Sequence, residues 1–177
     1  MIFETEIKWI KSERAKELAF EIIHEIEPTM KGPSSSSGSF HPKDENAPDG
    51  LVKHCRRVCW WVVEFCKENK FDEDTRDAML IAAMIHDYAR SQGAYYNHGL
   101  LSWKFINKSV DFLEKYQDIK GIINKVKRFS ATHMNHWDYK APQPKTIEDY
   151  TFAMCDYAAS RRSIHTPFLG ENYDTDG

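Results

Sequence analysis

The sequence predicts an all-α protein, a helical bundle whose core is built from five packed helices. Two observations carry this reading. Apolar residues recur at intervals of three and four along successive segments, the spacing that lines one face of a helix, and clusters of Gly, Pro, Asn, Asp and Ser separate those segments. The stretch Ala78 to Ser91, AMLIAAMIHDYARS, is also apolar on nearly all sides, which suits a helix surrounded by others in the middle of a core. At 177 residues the chain has the size of one ordinary domain.

Taken in order, Thr5 to Ile26 places Ile7, Ile10, Leu18, Ile22 and Ile26 among Lys, Arg and Glu, and Pro28 closes the segment. This predicts one amphipathic helix, with residues 1–30 packed on the domain and His24 given no role. Lys31 to Gly50 is dense in turn formers and lacks periodicity, so it reads as a loop, either a functional lid or an insertion. His41 lies there, either facing a substrate or facing solvent. Leu51 to Asn69 returns to helical period, with Leu51, Val58, Trp61 or Val62, and Phe65 inside and Lys53, Arg56, Arg57, Glu64 and Lys67 outside. His54 falls between Leu51 and Val58, so it points inward.

Asp72 to Asp74 can cap the central helix, expected over about Glu73 to Ala89. Asn97 can cap the next, from His98 to Glu114, with Trp103, Ile106, Val110 and Leu113 as its stripe. Asp118 to Thr132 carries Ile119, Ile122, Ile123, Val126 and Phe129, and a further step of four lands on His133. His136 and Trp137 follow where the helix ends. The last helix, Thr146 to Arg161, places Tyr150, Ala153 and Tyr157 on one face beside Asp156. Residues 31–165 are read as one domain and 166–177 as an irregular tail.

Composition excludes some classes. Hydrophobic content of 41% with 29% charged residues fits a folded chain, and a net charge of -3 gives no global field for duplex nucleic acid. Lys120, Lys125, Lys127 and Arg128 are either a local nucleic-acid face or an ordinary solvated helix side. No apolar segment approaches the roughly 20 residues that span a membrane, and Met1 to Ile10 lacks the pattern of a signal peptide. A cytoplasmic protein without a membrane partner is expected; nothing sets its oligomeric state. Cys55, Cys59, Cys66 and Cys155 form neither a CxxC pair nor a disulfide framework, so reduced, buried thiols are expected, with Cys55 and Cys59 as a metal pair the lesser alternative.

His54, His86 with Asp87, His133 and Asp156 interrupt apolar faces on four helices, and His98 stands at the first turn of a fifth, either as a cap or solvent histidine or reaching across the same pocket. Burying so many polar groups without a common partner costs several kcal/mol, by the usual penalty of about 1–3 kcal/mol or more per unpaired group. A shared divalent metal centre, of one or two ions, accounts for them. Histidine nitrogens with aspartate oxygens suit Mn, Fe, Ni, Co or Zn, and no thiolate set points to a structural zinc knot.

His54, then His86 with Asp87, then Asp156, on successive helices, resembles the HD-domain superfamily of metal-dependent phosphohydrolases. HPKDENAPDGLVKHCRRV resembles the loop and first ligand helix of members such as HD-type 3'-5' exoribonucleases. AAMIHDYAR is similar to the HD helix, NHGLLSWKFI and THMNHW to segments bearing further histidines, and CDYAASRR to the closing aspartate helix. The resemblance covers Phe40 to Arg162. It implies an HD-domain bundle in which His54, His86, Asp87 and Asp156 hold one ion and Asp87, His98 and His133 a second. Arg90 stands where many members carry a lysine.

The implied activity is hydrolysis of a phosphomonoester or phosphodiester, in a nucleotide or short oligonucleotide, by a metal-activated water. Asp87 and Arg90 would be catalytic, and His41, Arg90, His136 and Arg161 would bind substrate. The same ligand set occurs in HD-type di-iron oxygenases, one alternative; a non-catalytic nucleotide-binding module is another.

Overall fold

The computed structural model describes residues 1–35, 39–106 and 112–166. The described residues are helical and include no strand. In chain order the α-helices are α1 (Glu4–Lys8), α2 (Glu13–Ile26), α3 (Gly50–Asn69), α4 (Glu73–Ile85), α5 (Tyr88–Ser91), α6 (His98–Ile106), α7 (Phe112–Lys115), α8 (Lys120–Thr132) and α9 (Ile147–Ala159). Short 3-10 turns at Lys43–Asn46, Gln117–Ile119 and Asn135–Trp137 connect them.

The apolar run of α4 explains the architecture. Every residue from Ala78 to Ile85 is fully buried, so α4 needs neighbours on all sides: α3 and α8 flank it, α1 and α2 lie across it, and α9 packs on both α3 and α8. The amphipathic helices turn Leu18 and Ile22 of α2, Val58 and Val62 of α3, and Val126 and Phe129 of α8 into the shared core. No helix among the described residues is long and apolar enough to cross a membrane. All four cysteines are buried and free.

Several local expectations are corrected. The single helix expected over Thr5 to Ile26 is split, because the buried Asp77 carboxylate accepts the backbone N–H groups of Lys11 (2.9 Å) and Ser12 (2.8 Å), and the Ser12 hydroxyl then caps α2 by accepting from Ala15 N. The central helix ends at Ile85 instead of Ala89, and the chain bends through Asp87 before α5. Ser102 of α6 serves this bend: its hydroxyl accepts from Ala89 N (2.9 Å) and lies 2.8 Å from the carbonyl oxygen of His86. Arg57, expected outside, is buried, and Trp61 and Phe65 are only partly buried, so the inner face of α3 runs through Leu51, Val58, Val62 and Cys66. On α9 the inner face is Phe152, Cys155 and Ala159; Tyr150 and Tyr157 are exposed.

Of the helix expected from His98 to Glu114, residues 107–111, including Val110, and the Leu113 side chain lie outside the described residues. So do residues 167–177 of the expected tail, whereas Thr166 is buried and accepts the Trp61 indole N–H at 2.9 Å.

The turn-rich segment before α3 is tied to the domain by its backbone. Gly32 N–H donates to Pro48 O, Leu51 N–H to Gly32 O and Ser34 N–H to Glu45 O. Gly50 lets the segment close, since a Cβ there would stand 1.8 Å from Glu45 O. The result is a strap carrying Ser34, His41 and Glu45 against the N-terminal end of α3.

Candidate metal centre

The bend at His86 and Asp87 delivers both side chains to one point inside the bundle. Around it, α3 supplies His54, α6 His98, the end of α8 His133, and α9 Asp156. The six residues predicted as ligands converge.

Asp87 lies between two groups. Its Oδ2 is 3.9 Å from His54 Nε2 and 3.8 Å from His86 Nε2, and Asp156 Oδ1 completes that side at 2.9 Å from His54 Nε2 and 3.6 Å from His86 Nε2. Its Oδ1 faces the other way, 2.8 Å from His98 Nε2 and 3.6 Å from His133 Nε2. Apart from Asp156, which reaches the cavity wall, all of these side chains are almost completely buried.

The proton positions follow from the backbone. His86, His98 and His133 each place Nδ1 within hydrogen-bond distance of the carbonyl three residues earlier: Ala83 O at 3.0 Å, Tyr95 O at 3.0 Å and Ser130 O at 2.7 Å. A carbonyl can only accept, so Nδ1 carries the proton and the neutral ring aims a lone pair from Nε2 at the centre. His98 Nε2 and His133 Nε2 stand 3.0 Å apart beside an anionic oxygen, and His86 Nε2 and Asp87 Oδ1 are buried without hydrogen-bonded partners among the described residues. Lone pairs so arranged repel unless a cation lies among them, and a nitrogen and oxygen donor set fits a divalent metal.

Protons do this work when no metal is bound. Burial is the largest influence on Asp87 and Asp156 and pushes both carboxyls up, but the surrounding histidines outweigh it and hold both well below the ordinary carboxylate range. Burial likewise pushes His54 down, but Glu45 and Asp156 outweigh it and raise the imidazole to about 10. Burial pushes His98 down, but Asp87 outweighs it and raises the imidazole, whereas His133 is lowered, chiefly by burial.

Sequence reasoning missed Glu45. Fully buried, it receives Arg57 on Oε1 (2.5 Å) and Ser34 and His41 on Oε2 (2.8 and 2.7 Å), with His54 Nδ1 at 3.4 Å from the same Oε2. Asp44 takes the other arm of Arg57 at 2.7 Å. Carboxylates behind ligand histidines fix ring orientation and raise basicity. His41, Glu45 and His54 are themselves close enough to hold an ion, but both Glu45 oxygens are already engaged.

Gly99 sets the spacing of the second group. A Cβ at that position would come 1.9 Å from Ser130 O and 2.8 Å from His133 Nδ1, so α6 and α8 approach closely only because the residue after His98 has no side chain.

The centre opens on a cavity of about 590 Å³, the size of a small-ligand site. Arg90, His41, His136 and Arg161, the residues predicted to meet a substrate, all line it. Arg90 Nη1 reaches Asp87 Oδ2 only at 3.9 Å, and its Nε is buried without a hydrogen-bonded partner among the described residues. Among the described residues, Cys55 and Cys59 join none of the candidate ligand groups; burial pushes both thiols well above their ordinary range.

No protein-family model, curated protein or solved structure matches the chain. The class that fold and site define is therefore stated at the level of geometry: an all-helical protein with buried His and Asp clusters able to coordinate a metal ion.

Proposed function

We propose that the protein is a metal-dependent phosphohydrolase of the HD type that cleaves a phosphoester in a nucleotide or short oligonucleotide. One observation carries this reading: a single buried carboxylate, Asp87, offers one oxygen to each of two histidine groups at the floor of an arginine-bearing cavity. His54, His86, Asp87 and Asp156 would hold one ion, and Asp87, His98 and His133 a second; the donor types suit Mn, Fe, Co, Ni or Zn. Bound ions of this kind lower the pKa of water from about 15.7 toward 7 and offset charge on the attacked phosphoryl group.

The chain's own residues supply the rest. Arg90, with an unsatisfied Nε and a charge only loosely matched by Asp87, is placed to bind the equatorial phosphoryl oxygens and to stabilise the charge that grows on them. His41, held by Glu45 and Ser34, and His136 are the imidazoles of the cavity wall outside both ligand groups, and one of them gives the leaving oxygen its proton. The charge of the wall favours an anionic substrate, because Arg161 also lines it with a buried Nε lacking a hydrogen-bonded partner among the described residues.

The test is a screen of metal-reconstituted protein against nucleotides, cyclic dinucleotides and short oligonucleotides, with phosphate release and strand shortening as readouts. Activity lost on Asp87→Ala is expected. Oxygen consumption by an iron-loaded sample without phosphoester cleavage, or nucleotide retained unchanged, would overturn the proposal.

A further inference from the structure

Phe40, Trp137 and Tyr157 come from three separate segments: the strap, the turn after α8, and α9. All three line the mouth of the cavity, and all three are exposed, Phe40 at 62% and Trp137 at 58%. Aromatic rings left this open beside a polar centre contribute little to the core. They are nevertheless held in place. The Arg161 guanidinium lies 4.2 Å from the Tyr157 ring centroid, 5.2 Å from Phe40 and 5.6 Å from Trp137, so one cation ties the three together. Arg162 N–H donates to Phe40 O at 3.0 Å, which fixes the strap to the end of α9. The Trp137 and Tyr157 rings are nearly parallel, 13° apart, and His136 lies against Trp137 at 4.4 Å between centroids.

We infer that this rim is a base-stacking subsite: it takes the nucleobase of a nucleoside phosphate whose phosphate lies against Arg90 and the His and Asp centre. The inference rests on the phosphohydrolase reading and gives the substrate its second recognition element. Three features argue for a base over another apolar group. The rim offers flat π-faces backed by a guanidinium, the surface on which a nucleobase stacks. Its rings share one cavity with an anion-seeking arginine. The cavity, about 590 Å³, fits one nucleotide unit in place of an extended polymer. Arg161 then acts as a positioning residue that holds the rings.

Two measurements separate this inference from the reading beneath it. The first is quenching of tryptophan fluorescence by adenosine 5'-monophosphate, compared with ribose 5-phosphate, which keeps the phosphate and lacks the base. Quenching by the nucleotide alone is expected in the wild type and requires no turnover; calorimetric affinity for the nucleotide, which does not use the indole as reporter, should fall in Trp137→Ala and be retained in large part in Trp137→Tyr. The second is steady-state hydrolysis of both compounds. Stacking is worth roughly 1–3 kcal/mol per base, so Trp137→Ala should raise KM for the nucleotide about 5- to 150-fold and leave kcat/KM for ribose 5-phosphate within about twofold. Phe40→Ala acts in the same direction, and Arg161→Lys, which keeps charge but loses the planar group that holds the rings, raises KM for the nucleotide more than for ribose 5-phosphate.

Equal binding of the two compounds, or nucleotide binding indifferent to Trp137→Ala and Phe40→Ala, overturns the stacking subsite even if phosphate is released. Base-dependent quenching without any hydrolysis upholds the subsite and overturns the enzymatic reading instead.

Discussion

Replacing Arg57 with leucine tests how the strap and the metal centre are joined. The Glu45 carboxylate is wholly excluded from solvent and accepts its shortest hydrogen bond from Arg57 Nη1, while Ser34, His41 and His54 crowd the other oxygen. Arg57→Leu removes the guanidinium from Oε1 and leaves the buried anion with Ser34, His41 and, 3.4 Å away, His54 as its partners. Removing one member of a buried ion pair costs about 3–5 kcal/mol, and a chain of this length loses about 2–4 °C in Tm per kcal/mol, so a fall of roughly 6–20 °C follows. The control is Asp44→Asn, which removes the arginine's other partner at a site that keeps 41% of its side-chain surface in water; exposed pairs are worth about 0–1 kcal/mol. Urea unfolding in the presence of chelator reads the effect without metal linkage. If Arg57→Leu shifts stability by less than about 1 kcal/mol, or if Asp44→Asn matches it, the description of Glu45 as a buried anion dependent on Arg57 is wrong.

Three further outcomes are expected. For metal-free protein, Asp87, Asp156 and Glu45 are held below their unfolded values, so their stabilisation is present above about pH 5 and is lost progressively as the pH falls from there through their depressed native values; His54, raised to about 10, contributes below about pH 6.5 and loses its contribution as the pH rises toward 10. Chemical denaturation across pH should show both limbs, and calorimetry of metal addition at pH 8 in buffers of different ionisation enthalpy should register proton release. Elemental analysis should find two ions per chain, one in His98→Ala and fewer than one in Asp87→Asn; saturating metal at about 100 times Kd should add about 2.7 kcal/mol per ion, or roughly 5–11 °C, to wild type and to His98→Ala, and little to Asp87→Asn. Ser102→Ala should cost about 1–3 kcal/mol, because Ala89 N–H at the bend loses a buried acceptor, and a change near zero in thermal unfolding would refute that role for the hydroxyl.

The inward direction of His54 and His133 is legible because each breaks an apolar rhythm: His54 sits among Leu51 and Val58, and His133 follows Phe129 by one helical step, whereas His98, at the first turn of its helix, is reached only through the family resemblance. Periodicity reports which face a residue occupies, and these faces all turn inward. Glu45 escaped because it lies in a segment without rhythm, between Asp44 and Asn46, where an acid looks solvated. Its burial depends on Arg57, twelve residues on, and Arg57 was itself assigned to the outer face by the same rhythm. The division of the first helix and the bend at Asp87 were equally hidden, since each is produced by a side chain remote in sequence, Asp77 in one case and Ser102 in the other. Local pattern locates a face; it does not show which distant polar group will reach it.

Position 99 has a consequence for how many cations the protein can hold. The separation of His98 from His133 is governed by a residue that supplies no donor atom, so the width of that half of the centre is gauged by a single hydrogen. A methyl group there would wedge two helices apart and disable one half, while the half built on His54, His86 and Asp156 kept its own scaffold. On the two-ion proposal, the step from a paired to a solitary ion is thus one substitution away, at a residue that offers no ligand atom.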